Sequence, residues 1–76
     1  MEVIVGKKYR HFKGHLYQVI LIAKDSETLK DVIVYQDLSD STKIWVRDYD
    51  MFISKVDKEK YPEVKQEYRF ELVDEA

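Results

Sequence analysis

Polar and apolar positions alternate along most of this chain, and short polar clusters interrupt them. The strongest run is Leu16–Lys24, LYQVILIAK. Tyr17, Val19, Leu21 and Ala23 fall on one face at period two, and Gln18, Ile20 and Ile22 on the other. Both faces are largely apolar, so this strand is expected at the centre of a sheet. Lys8–Lys13 reads as the strand before it, with Gly14 as the turn signal. Asp31–Asp37, Lys43–Arg47, Phe52–Val56 and Tyr68–Val73 read as four further strands. DSETLKD at 25–31 and LSDST at 38–42 are loop-like joints, and DYDMF at 48–52 reads as a tight corner or one turn of 3₁₀ helix. The charged segment 57–67 carries Pro62, which would cost a helix there about 3 kcal/mol, so it is expected to be a loop. Six short strands with close turns predict a mostly β domain spanning 1–76: a small SH3-like barrel of five or six antiparallel strands. Phe12, Val19, Leu21, Val34, Ile44, Val46, Phe52 and Phe70 are the expected core. Tyr35, Trp45 and Arg47 then point together away from it.

Length and composition narrow the class. Seventy-six residues suit one domain, and a chain this short buries only about 60% of its unfolded surface. There are no cysteines, hence no disulfide framework and no thiolate metal site, which suits a reducing compartment. Behind Glu2 the apolar run Val3–Val5 is too short for a secretory signal. No stretch approaches the roughly 20 apolar residues of a membrane helix. The expectation is a soluble, cytoplasmic protein without a membrane partner. The net charge of −2 argues against general nucleic-acid binding, which needs a basic field. The charge is uneven, however. Residues 1–30 hold six Lys/Arg against three Asp/Glu, and residues 31–76 hold seven against twelve. A basic first half could face an anion; the ordinary reading is a solvated hairpin.

Candidate chemistry is sparse. Lys8–Val19, KYRHFKGHLYQV, gathers three aromatic rings and two histidines. His11 and His15 are four apart, but no third ligand has helpful spacing, and zinc needs at least three. No metal or cofactor is expected. Ser26 in DSET lacks the strained elbow that activates a serine nucleophile; the local alternative is bonding of loose backbone N–H groups at a turn. Asp25/Glu27 and Asp48/Asp50 read as solvated turn carboxylates, so catalysis is the weakest reading. A Trp–Arg–Tyr surface is more informative. It is a common composition for partner binding and suits stacking on a base with arginine on a phosphate. The competing reading has Trp45 sealing the end of a small core.

An ordered set of motifs runs through the chain: YRHFKG at Tyr9–Gly14, YQV at Tyr17–Val19, AKDSET at Ala23–Thr28 and VIVY at Val32–Tyr35. WVR at Trp45–Arg47, MF at Met51–Phe52 and YRF at Tyr68–Phe70 complete it. Together they resemble domain-of-unknown-function family 1653, small proteins of bacteria and their phages. The resemblance implies a compact, mostly β domain and no assigned activity. The chain departs from the family pattern where Lys24 and Asp25 replace an Arg–His pair, and where Asp48 replaces a proline.

Three functions are weighed on these residues. The first is a non-catalytic binding module whose face is formed by Tyr9, Arg10, His11, Ser26, Glu27, Tyr35, Trp45 and Arg47. Arg10, His11 and Arg47 would hold an anion, Tyr35 and Trp45 would stack, and Ser26 and Thr28 would hydrogen-bond. A nucleotide, another anionic small molecule or a short nucleic acid fits that chemistry. The second is a protein-interaction or homodimerisation domain using the same aromatic surface. The third is an enzyme.

Overall fold

The computed structural model describes residues 2–73, so the expected span of 1–76 runs past it at both ends. Five strands and one helical turn are formed: β1 Lys8–His11, β2 Leu16–Lys24, β3 Asp31–Asp37, β4 Ile44–Asp48, α1 Tyr49–Phe52 and β5 Phe70–Leu72. The fold is mostly β, as the alternation predicts. The strands form one antiparallel sheet in the order β4-β3-β2-β1-β5. β4 and β5 are its edges and are not paired with each other, so the sheet is open. It is nevertheless curled: Arg47 on one edge lies over the Phe70 ring on the other, 5.9 Å from its centroid. The corner after β4 is one turn of α-helix rather than 3₁₀, and the expected strand at Phe52–Val56 is reduced to a single bridge between Lys55 and Tyr68. No described helix is long and apolar enough to cross a membrane.

Each joint has a local cause. Gly14 adopts φ +103° between β1 and β2, a region open to glycine at little cost, and its N–H donates to the His11 carbonyl at 2.7 Å. After β2, Asp25 Oδ1 accepts the N–H groups of Glu27 (2.8 Å) and Thr28 (3.1 Å). Those two bonds hold the Asp25 carboxyl below its ordinary pKa. The carboxylate thus bonds the loose amides of the turn, as such side chains do where no ladder is available.

The core corrects the sequence reading in a specific way. It is built from Val3, Tyr9, Val19, Ile33, Tyr35, Phe52 and Phe70. Tyr9 packs edge-on to Phe52 at 5.5 Å, Tyr35 packs edge-on to both Phe52 (5.4 Å) and Phe70 (5.5 Å), and Phe52 stacks on Phe70 at 4.0 Å. Such ring pairs contribute about 0.5–1.5 kcal/mol beyond the area they bury. Of the expected core, Val19, Phe52 and Phe70 are buried, Phe12 and Val34 are half-buried, and Leu21, Ile44 and Val46 are exposed. Two causes account for the errors.

A β-bulge shifts the register between Val19 and Leu21, so Val19 lies opposite Tyr35 but Leu21 lies opposite Val34. One extra residue reverses every later side chain. On β3 and β4 alternation predicts the aliphatic set inward, whereas Ile33 and Tyr35 fill the interior. Tyr35 therefore does not point away from the core; it is 4% exposed. Trp45 and Arg47 do share its face, since Trp45 pairs with Tyr35 and Arg47 with Ile33.

Candidate functional site

β1 runs from the core to the surface at its C-terminal end. Tyr9 is buried and His11, two residues on, shares its face. His11 pairs with Phe70 on β5 and meets that ring edge-on at 5.1 Å. On the other side Phe12 stacks on the imidazole at 4.4 Å, and Tyr61, from the irregular segment 57–67, closes on Phe12 at 5.0 Å. Arg47 arrives from β4 and Arg69 from the residue before β5. With Lys13 and Lys60 they line a cleft of about 320 Å³ that also touches Val56 and Asp57.

The electrostatics of this cleft are one-sided. Among the described residues, the ion pairs are Lys24–Asp31, Lys43–Asp40 and Lys55–Glu67, and none involves Lys13, Arg47, Lys60 or Arg69. The only carboxylate in the lining, Asp57, accepts the N–H groups of Glu59 (3.0 Å) and Lys60 (3.3 Å). Arg47 Nε donates to the Tyr35 hydroxyl and Arg69 Nε to Ser54 Oγ, both at 3.2 Å. Among the described residues each guanidinium is anchored through Nε alone, which leaves its terminal nitrogens as a donor pair. Lys13 Nζ and Lys60 Nζ lie 5.7 and 5.5 Å from the Tyr61 ring centroid, within cation–π range.

His11 registers this field. Its Nδ1 accepts the Lys13 N–H at 3.1 Å. A backbone amide only donates, so the ring is neutral with its proton on Nε2. Burial of the ring and then the charges of Arg47, Arg69, Lys13 and His15 push the His11 pKa down to about 4.

The residues expected from sequence are only partly gathered. His11 and Arg47 meet in the cleft, and Tyr35 supports Arg47 from beneath. Tyr9 is a core residue whose hydroxyl accepts the Ile4 N–H at 2.9 Å. Arg10 is exposed, between Leu16 and Glu71 on the opposite face of β1. Ser26 and Glu27 lie in the β2–β3 turn, outside the cleft lining. Trp45 is 47% exposed on β4 and is not in the lining either. His15 lines a separate shallow depression with Leu16 and Leu38.

Five contributors were missed: Phe12, Lys13, Lys60, Tyr61 and Arg69. The basic residues of YRHFKG and YRF were visible as motifs. Lys60 and Tyr61 sit in a loop of mixed charge whose composition hides them.

The sequence model of a family described as "Protein of unknown function (DUF1653)" matches residues 7–72. The chain belongs to the DUF1653 family. No curated protein and no solved structure matches it. All nine residues that line the cleft of this DUF1653 protein fall inside the matched span. Chemically, the arrangement gathers positive charge beside an aromatic wall. Two forked donors and two ammonium groups line it, and one of them, Arg47, lies over the buried Phe70 ring.

Proposed function

We propose that this protein is a non-catalytic binding module that takes a nucleotide in the His11–Arg47–Arg69 cleft. The observation that carries the reading is that four cations without carboxylate partners among the described residues line one small cavity beside two half-buried rings, Phe12 and Tyr61. The guanidiniums suit phosphate oxygens, which they bind in bidentate fashion. The ring wall suits a base, since base–aromatic stacking contributes about 1–3 kcal/mol. A cavity of about 320 Å³ is at the small end of ligand pockets, enough for one nucleotide unit rather than a folded nucleic acid. The overall charge of −2 points the same way. The aliphatic hydroxyl that contacts Arg69, Ser54 Oγ, is occupied: it donates to the Met51 carbonyl at 2.6 Å and accepts from Arg69. That supports binding over catalysis.

Calorimetric titration with adenosine 5′-monophosphate, ribose 5-phosphate and inorganic phosphate tests the reading. The nucleotide is expected to bind most tightly, and its affinity to fall steeply as salt rises. Equal affinities for all three would remove the base from the proposal. No heat with any of them at millimolar concentration would overturn the site.

A further inference from the structure

We infer that β4 is a self-pairing edge and that two copies of this chain join through it, antiparallel about a two-fold axis at Val46, into one continuous sheet. This goes beyond the nucleotide reading and does not depend on it.

The edge is open, and its charged strand residues, Arg47 and Asp48, lie at its C-terminal end. β4 has a neighbour on one side only, β3. Exposed edges are ordinarily protected by lysine, proline, a bulge or brevity. The other edge, β5, is three residues long and carries Glu71 at its middle. β4 has Ile44, Trp45 and Val46 in succession, exposed by 56, 47 and 64%. Its backbone phase is fixed by the bond from the Asp37 N–H to the Lys43 carbonyl at 3.0 Å. These two residues lie directly opposite in the β3–β4 register, so Lys43, Trp45 and Arg47 direct their backbone groups to β3. Ile44, Val46 and Asp48 therefore present N–H and C=O to the free side.

The charge pattern selects the occupant and its register. With the axis at Val46, Val46 faces Val46 of the second copy in a hydrogen-bonded pair, and Ile44 faces Asp48 of the second copy in another. Trp45 then lies beside Arg47 of the second copy, twice over, in the closer non-hydrogen-bonded position where side chains meet. An indole beside a guanidinium is a favourable pair. Moving the axis to Trp45 would set Lys43 against Arg47 of the second copy. Moving it to Arg47 would oppose two guanidiniums. Like charges directly opposite are destabilising, so both of these registers are disfavoured against the one at Val46. In it each basic cleft gains, beside its Arg47, the Trp45 indole of the other copy.

Sedimentation equilibrium of the full chain at tens of micromolar should give twice the monomer mass of 9.2 kDa. Val46→Lys should return it to a single mass with an unchanged circular dichroism spectrum. Because the chain has no cysteine, Val46→Cys provides a second measurement: paired strands bring the two sulfurs within disulfide reach. It should cross-link at least tenfold faster under mild oxidation than Leu29→Cys, placed on the exposed β2–β3 turn. A monomer at these concentrations overturns the proposal, as would a dimer in which Val46→Cys is no faster than Leu29→Cys. A folded Val46→Lys that stays dimeric would do so too.

Discussion

Two clefts of the same volume, about 320 Å³ each, lie on this molecule. The second is lined by Lys24, Leu29, Lys30, Asp31, Asp48, Tyr49 and Asp50. Its charges are mixed and partly spent on one another, with Lys24 Nζ 2.7 Å from Asp31 Oδ1. Its ring, Tyr49, is half-buried against the core. The first collects four cations, of which Arg47 lies over the Phe70 ring, and its single carboxylate is held by a turn. Volume does not separate the two. What separates them is whether charge is left over after the fold has satisfied itself, and whether a rigid floor holds that charge in place.

The floor is the largest lever on this difference. Phe70 touches His11, Arg47, Tyr35, Tyr17 and Phe52. Phe70→Ala is expected to cost about 3–5 kcal/mol, as buried Phe truncations do. A domain of this size has a total stability on that order, so urea denaturation should find the variant largely unfolded at ambient temperature. A midpoint shift equivalent to under 1 kcal/mol would show that Phe70 is not the keystone of the basic cleft.

The next contrast concerns charge alone. Removing an arginine that contacts phosphate costs a charge-assisted bond of about 1.5–3 kcal/mol. Arg69→Gln should therefore weaken adenosine 5′-monophosphate by more than tenfold. Lys30→Gln, in the mixed cleft, should leave the affinity within a factor of two. Equal losses from both variants would mean the protein's general field, rather than the cleft, attracts the nucleotide.

Much of this architecture was legible in the alternation of the chain. Leu16–Lys24 and Asp31–Asp37 are strands with the expected bounds, because period-two patterning over seven or more residues is a strong signal. The inner face was not legible. The bulge at Ile20 leaves no mark in a run where every neighbour is aliphatic, and aromatic rings outcompeted Val34, Ile44 and Val46 for the interior. The site was half legible for the same reason. His11 and Arg47 were read from motifs, and the same-face relation of Tyr35, Trp45 and Arg47 is present. Arg10, Ser26 and Glu27 were grouped with them by composition, although the pleat and the turn direct them elsewhere. Arg69 is set beside Phe12 by the β1–β5 ladder and Lys60 arrives with the loop that packs Tyr61 on Phe12, while Arg47 reaches them from the far edge because the sheet curls; these are long-range relations that no local pattern encodes.

His11 gives a pH test of the same one-sided field. In the unfolded chain it titrates near 6.5, and in the folded protein at about 4. Between those values the unfolded state holds more protons, so stability rises with pH across that window and is lost as pH falls toward 4. The slope is bounded by about 1.4 kcal/mol per pH unit and reduced by the solvent that reaches the half-buried ring. His11→Phe, which keeps a ring against Phe70, should flatten stability between pH 4 and 6.5 in denaturant titrations. Phosphate in the cleft would favour the imidazolium, so saturating nucleotide should raise the His11 pKa read by NMR. A pKa near 6.5 in the free protein would show that the ring is neither buried nor faced by the cations. The carboxyls of Asp25, Asp37 and Asp40, all lowered by turn hydrogen bonds, contribute stability that is lost only as pH falls below this window.

The smallest effect belongs to a single hydroxyl, and it separates the two possible faces of β3. Tyr35 accepts from Arg47 Nε at 3.2 Å while its ring packs on Phe52 and Phe70. Tyr35→Phe keeps every ring contact and removes one hydrogen bond to a charged, half-buried donor. The expected cost is about 1 kcal/mol, which for a domain of this length lowers the melting temperature by about 4–8 °C. Had alternation placed Tyr35 outward, the same change would fall within about 0.5 kcal/mol of neutral, as surface substitutions do. Val46→Ala, measured below the concentration at which copies associate, supplies the matching control: an exposed valine on the opposite face should be nearly silent. A neutral Tyr35→Phe with a costly Val46→Ala would restore the aliphatic core and leave Arg47 without the anchor that aims it into the cleft.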